Sequence, residues 1–353
     1  MTRTIRRPWP HRFHIFCGKM RSKTEKNYFC IINSNVMRKI VLAIFTLICS
    51  SSIICCRQAT AGDNSNTMKS ADIIKKMKEK PVLIIHDKRI DGNLNFTEAG
   101  TGALALEMAP VYINCELVFV NCEFADSVFA NDSRRNGVQI VYCVFSRNVT
   151  FRNCTFAKCA DFQQAEFLGR FDFFDCKVDG DANFSGINST AGSSFTGTGF
   201  NGDALFVSAT LNRRTSFAKA NFKGTANFQY CHIGDIATFT DAVTGGYTDF
   251  SNTRADALID FTNTQFGGRV NFQNSTFLGL LKMSKCVFTN SANFSGNKFL
   301  GGLNLVNARF DKHLELVNNI FATEPKTDGA AINHDDADLT GNKGMESINL
   351  NFE

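Results

Sequence analysis

Ala182-Asn183-Phe184-Ser185-Gly186, Ala226-Asn227-Phe228-Gln229-Tyr230 and Ala292-Asn293-Phe294-Ser295-Gly296 repeat one short pattern at separations divisible by 22. Stepping outward from Phe228 by eleven residues finds Phe151, Phe162, Phe173, Phe184, Phe195, Phe206, Phe217, Phe239, Phe250, Phe261 and Phe272. The series reaches back to Ile140 and on through Met283, Phe294, Leu305 and Leu316. A second ladder runs five residues out of step, from Phe145, Phe156, Phe167 and Val178 to Phe288, Phe299, Phe310 and Phe321. The two ladders hold 34 positions between residues 140 and 321, and 24 of them are Phe; only Phe171 and Phe174 lie off them.

A spacing of five, six, five, six fits neither the 3.6-residue period of a helix nor the two-residue period of a long strand. It fits a solenoid of very short strands, each turning one large side chain inward before the chain bends. The position two before each ladder residue must then also point inward and be small. It reads Cys154, Ala160, Ala165, Ala182, Ala204, Ala209, Thr215, Ala220, Ala226, Cys231, Ala237 and Ala242. Alternating large and small inward residues allow successive layers to interdigitate at core density. Glycines at the bends, among them Gly169, Gly180, Gly202 and Gly224, agree.

These segments resemble the pentapeptide-repeat proteins, whose motif is a small residue, Asp/Asn, Leu/Phe, a small polar residue and Gly. The resemblance covers about 140–321 cleanly and about 90–139 loosely. It implies an all-β fold, a right-handed quadrilateral parallel β-helix, here with two eleven-residue units per coil and the six-residue steps absorbed at corners. Residues 140–321 then hold about eight coils, a rod of roughly 40 Å at ~4.8 Å per strand.

The ends need caps against unpaired strand edges. Residues 70–80 read as a short amphipathic N-terminal capping helix with Ser70 as N-cap and Ile73, Ile74 and Met77 on one face. Val82–Ile85 and Ile90–Phe96 read as the first strands, giving a cap over 62–110 and a β-helix over 111–321. Residues 97–110 and 131–137, the latter with Arg134 and Arg135, interrupt the pattern as loops. Beyond Phe321 the phase is lost, so 322–353 is expected to be part cap and part flexible acidic tail.

The chain has 353 residues, a net charge of +5 and 35 Phe. Its mean hydropathy of −0.12 excludes a polytopic membrane protein. Residues 1–61 carry eleven Lys/Arg against the single acid Glu25, which leaves the remainder at −5. The basic balance therefore belongs to a leader and not to a nucleic-acid-binding surface. Residues 1–36 read as an over-extended start upstream of Met37. Within 37–61, Arg38-Lys39, the apolar run Ile40 to Cys56, and Ala59 and Ala61 form a signal-peptide pattern with cleavage after Ala61. An uncleaved anchor through 40–56, and lipidation at Cys49, Cys55 or Cys56, remain open alternatives.

No catalytic, cofactor-binding or metal-ligating residue is assigned, and no cofactor is expected. Cys122, Cys143, Cys154, Cys176, Cys231 and Cys286 fall in the small inward slot and read as core thiols, with Cys115 and Cys159 outside it. Cross-linking between stacked slots stays open, since disulfide geometry is exacting. His86, His232, His313 and His334 are scattered, and Asp335-Asp336-Ala337-Asp338 lacks the Gly and terminal Glu of a calcium loop. Asn183, Asn227, Asn271 and Asn293, with Leu205 and Asp249 between them, share one face.

The leading expectation is an exported, non-enzymatic structural or interaction rod, in the periplasm or at the cell surface, that meets a protein or glycan. Membrane association is expected only through an uncleaved signal or lipid anchor, and a homodimer through the solenoid ends stays open. The alternatives are a membrane-anchored lipoprotein scaffold and, as the resemblance implies, a DNA mimic that binds topoisomerases. Residues 140–321 carry 16 Lys/Arg and 14 Asp/Glu, so the phosphate-like charge of a DNA mimic is missing.

Overall fold

A computed structural model describes residues 66–101, 108–132, 140–332, 336–345 and 351–352. One compact unit spans Asn64–Glu353. The expected over-extended start and signal peptide lie outside the described residues. Among the described residues, no helix is long and apolar enough to cross a membrane.

The chain winds as a four-sided parallel β-helix. One coil passes through Lys177–Val178 on the first face, Ala182–Asn183 on the second, Asn188–Ser189 on the third and Ser193–Ser194 on the fourth. It returns to the first face at Gly199–Phe200, in register with Lys177–Val178. In the described residues the four faces hold 13, 11, 11 and 10 strands respectively. Each strand pairs in parallel with its counterpart one coil on, as in Ala160↔Ala182 and Ala226↔Thr248. The exception is Asn131–Asp132, which pairs antiparallel with Ile140–Phe145.

The five- and six-residue steps are two kinds of corner. At five-residue corners the ladder residue begins a tight turn, with Ala209 N–H donating to Phe206 O and Cys231 N–H to Phe228 O. Its third residue is left-handed at every eleventh position, for example Ser208, Lys219, Tyr230, Asp241 and Asn252, all with φ of 57–60°. That is the backbone of a type II turn, and it explains the Gly or Asn that often closes the motif. The six-residue corners carry one more residue and bring backbones close together. At the corner between the first and second faces, a Cβ on Gly246 would stand 2.3 Å from Gly224 O, and one on Gly268 would stand 2.1 Å from Gly246 O. Glycine is required there by contact between coils.

The phenylalanines fill the axis. On the second face Phe162, Phe184, Phe206, Phe228, Phe250, Phe272 and Phe294 stack with centroids 4.5–5.6 Å apart. Rings from the fourth face meet them edge-on, as Phe228 does Phe239 at 5.3 Å and 87°. Phe171 occupies a small slot, buried and 4.0 Å from Phe167. The next coil compensates with buried Ser189 and Ser193, whose hydroxyls bond at 2.7 Å. Nearby, Phe151, Phe173 and Phe195 tilt out of parallel, at 56° and 38°.

The N-terminal cap is helix α1, Ser70–Glu79, with Ile73, Ile74 and Met77 buried against the first coils. Ser70 is its first helical residue and not its N-cap. Lys69 holds that place, with no side-chain cap, because Thr67–Lys69 is a strand paired with Arg89–Asp91 and runs directly into the helix. The β-helix therefore begins well before residue 111. Val82–His86 pairs with Glu116–Val120 through Leu83↔Leu117, and Leu94–Asn95 pairs with Val128–Phe129 through Leu94↔Val128. The following coil joins Leu117↔Val149. These coils are longer than the later ones, and in each the added chain falls at the corner between the second and third faces. Part of the expected 97–110 loop is strand Met108–Ile113; residues 133–139, with Arg134 and Arg135, lie outside the described residues.

The coil also continues past Phe321. Ala331–Ile332 pairs with Arg309–Phe310 at the same spacing as the earlier coils, whereas Ala337–Asp338 pairs with Leu314–Glu315 one residue later than that spacing requires. A single added residue hides this coil from a fixed-period reading.

Candidate interaction faces

The outward column on the second face contains Asp161, Asn183, Leu205, Asn227, Asp249, Asn271 and Asn293. Most of its chemistry is directed at the chain itself. The Oδ1 atoms of Asn183, Asn227, Asn271 and Asn293 accept the N–H groups of Ser185, Gln229, Gln273 and Ser295 at 2.9–3.0 Å. The repeated Asn/Asp thus fixes the start of each turn, a local side-chain-to-backbone bond that short amide and carboxylate groups make well.

Asp249 departs from this pattern. It is 2% exposed, accepts from Ser251 N–H at 2.8 Å, and its other oxygen accepts from the Tyr247 hydroxyl at 2.9 Å and Gln229 Nε2 at 2.8 Å. Burial, together with that bond to the carboxylate, pushes the Tyr247 phenol up. Beside this cluster lies a groove of about 350 Å³ lined by Tyr247, Arg269, Asn271, Asn293, His313 and Glu315. An exposed aromatic edge beside amides, a guanidinium and a carboxylate suits polar ligands rich in hydroxyl or amide groups.

The histidines are not brought together. His86 lies on the fourth face, His232 on the third beside Asp256 at 2.8 Å, and His313 beside Asp336 at 3.1 Å. His334 lies outside the described residues. In the acidic run, Asp338 Oδ1 accepts Thr340 N–H as one more turn cap, and Asp335 lies outside the described residues. Among the described residues, no group of three or more His, Cys, Asp or Glu could hold a metal ion.

The eight described cysteines are free thiols, and all except Cys159 are buried. Cys122, Cys154 and Cys176 stack in successive coils beneath the first face. Burial pushes the Cys231 and Cys286 thiols up to about 12. They are unsuited to nucleophilic chemistry, which needs the thiolate.

Two features of the surface have no counterpart in the sequence expectations. One is a series of surface ion pairs two residues apart: Arg170–Asp172, Lys177–Asp179, Arg254–Asp256 and Arg309–Asp311, each at 2.7–2.9 Å. The pattern Lys/Arg-x-Asp is visible in the chain but carries no meaning until the intervening residue is known to point inward. The other is a second groove, of about 520 Å³, lined by Arg170, Thr190, Ala191, Arg213, Arg214 and Asp235.

The family model described as pentapeptide repeats (nine copies) matches residues 140–188 and 272–318. No curated protein and no solved structure matches the chain.

Proposed function

Because the chain belongs to the pentapeptide-repeat family, we propose that it is an exported, non-enzymatic rod that presents its flat β faces to a protein or glycan partner in the bacterial envelope or at the cell surface. The observation that carries this reading is the second face. Its Asn/Asp column is committed to turn capping, and around Tyr247 and Asn271 its polar groove brings together an aromatic edge and several donors and acceptors. The basic, apolar and small-residue order of residues 37–61 supports export.

Cell fractionation with N-terminal sequencing tests the first half. A mature chain starting at Gly62 supports release, and a lipid-blocked Cys55 or Cys56 replaces it with membrane anchoring. An intact chain confined to the cytoplasm overturns export. Photo-crosslinkers at Asn271 and Asn293 test the second half. Adducts are expected there and not at Lys158, and equal labelling at all three positions would count against a specific face.

A further inference from the structure

The corner between the third and fourth faces holds Gly169-Arg170, Ala191-Gly192, Arg213-Arg214 and Asp235-Ile236 in successive coils. Arg170 and Arg214 are two coils apart, about 9.6 Å along the axis at ~4.8 Å per coil. Between them the chain supplies only Ala191 and Gly192, so the corner is notched. Gly192 has φ +96°, and a Cβ built on it would lie 2.9 Å from Arg214 O, 3.5 Å from Arg170 Nη1 and 3.5 Å from Arg213 Cβ. The three arginines line one groove of about 520 Å³.

Two adjacent arginines without an acid partner set this notch apart. Several strand cations, among them Lys177, Arg254 and Arg309, are neutralised by an acid two residues on, whereas Arg213 and Arg214, at the corner, are followed by Thr215 and Ser216. Neither arginine has a carboxylate partner among the described residues. Arg170 is already held by Asp172, at 2.8 Å, and Asp235 accepts its neighbour Ile236 N–H at 2.7 Å. With these two carboxylates counted, the cluster keeps a net charge of +1.

The backbone adds donors. Some corner N–H groups are capped by a side chain of the preceding coil, Arg170 by Asn148 Oδ1 at 3.0 Å, Asp203 by Asp181 at 2.9 Å and Thr225 by Asp203 at 2.8 Å, whereas those of Leu258, Leu280 and Gly302 have no acceptor among the described residues. The notch is one of the uncapped corners. Arg170 has no acceptor to offer Gly192, and Gly192 has no side chain to offer Arg214. Neither N–H has an acceptor among the described residues, and Gly192 is buried. The buried Gly302, at the same corner further along the rod, has the same φ of +96° and also an unpaired N–H, so at the notch this donor matters only for the arginines beside it.

We propose that the notch binds a tetrahedral oxyanion, a phosphate or sulfate group, free or carried on a larger ligand. Arg213 and Arg214 supply the uncompensated charge, Arg170 a third guanidinium, and the Gly192 N–H the backbone donor. Guanidinium forks match the oxygen spacing of such groups. The groove extends well beyond the notch and leaves room for a carrier.

The test is isothermal titration of the full chain with sodium phosphate and with sodium sulfate against sodium chloride at matched ionic strength, and with glucose 6-phosphate for a carried group. Phosphate or sulfate should bind saturably where chloride does not, and tighter binding of glucose 6-phosphate would assign a carried group over a free ion. Arg213→Gln/Arg214→Gln should weaken binding at least about tenfold, whereas Arg254→Gln, which breaks a paired surface cation, should leave it unchanged. If the double variant does not fold, phosphate protection of Arg213 and Arg214 from phenylglyoxal, mapped by mass spectrometry, decides the matter on the native chain. Binding no stronger than chloride's, full retention in the double variant, or modification indifferent to phosphate would overturn the proposal.

Discussion

Replacing Phe228 by Ala empties the middle of the second-face column. The ring is 1% exposed, stacks on Phe206 at 4.8 Å and on Phe250 at 4.5 Å, and is met edge-on by Phe217 and Phe239 at 5.2 and 5.3 Å. Removing it forfeits about 1.5–3 kcal/mol of transfer free energy. The surroundings cannot close over the void, because each neighbouring ring is fixed by its own stack and the coils are tied by backbone bonds such as Phe228 N–H to Asp249 O at 2.6 Å. The cavity left behind should bring the total to about 3–5 kcal/mol. Phe174→Ala is the comparison. That ring is half-buried and off both ladders, its recorded aromatic partner is the Arg152 guanidinium 5.8 Å away, and its loss should cost about 0.5–1 kcal/mol. Urea unfolding followed by far-UV circular dichroism gives both values from the midpoint shift at constant slope. A Phe228→Ala protein within about 1 kcal/mol of wild type, or no worse than Phe174→Ala, would refute the idea that the stacked rings hold the coils. Phe228→Asp, which leaves a buried charge unpaired, should abolish cooperative melting altogether.

Gly246→Ala should destabilise by about 2 kcal/mol or more, since its Cβ meets backbone on the adjacent coil. Gly199→Ala meets nothing within 4 Å and should be neutral or slightly stabilising in the same assay. Native-state alkylation at pH 8 with peptide mapping should label Cys159 first among the described thiols, and Cys231 and Cys286 only on unfolding; early labelling of either buried thiol would contradict the core assignment. Hydrogen bonds from Lys158 and Lys177 hold Asp126 and Asp179 below the usual carboxylate range. A depressed folded value contributes stability that is present above the unfolded pKa, about 3.9, and is lost as pH falls through the folded one. Calorimetric Tm should therefore be level from about pH 5 to 8 and drop below about pH 4, and Lys177→Met should lessen the drop.

The ladders are legible because each face takes one large inward residue per coil, and sequence distance then equals spatial order. Where that rule fails, it fails through insertions at corners. Val82–His86 and Leu94–Asn95 sit in the same sheets as the later strands, but the pairings Leu83↔Leu117 and Leu94↔Val128 break the eleven-residue step. Ala337 is displaced by one and is hidden for the same reason. Phe171 shows a different limit. Its place in a small slot is tolerated by Ser189 and Ser193 in the next coil, a compensation visible only once Phe171 and Ser193 are known to be neighbours. The Asn column can be located from the repeat but not interpreted, because its partners are backbone N–H groups two residues on.

In this fold each coil spends its inward residues on the core and its Asn/Asp residues on turns, and many of the outward charges pair with one another. An ordinary coil therefore has little chemistry left to offer, and function has to be sought where the repeat is broken. Asp249 and Tyr247 break the turn-capping column by adding a buried carboxylate with three side-chain or backbone donors around it. Arg213 and Arg214 stand side by side without the acid two residues on that pairs Arg170, Arg254 and Arg309. The second site differs in kind from the first. It is defined by acids missing two residues on and by arginines that only the coil brings into one groove, so no local motif could have marked it. Once the coil length is fixed, every residue has a known neighbour in the coils before and after it. Arg170, Arg213 and Arg214 then fall on the same corner, where unpaired positive charge and the free Gly192 N–H suit the same kind of ligand.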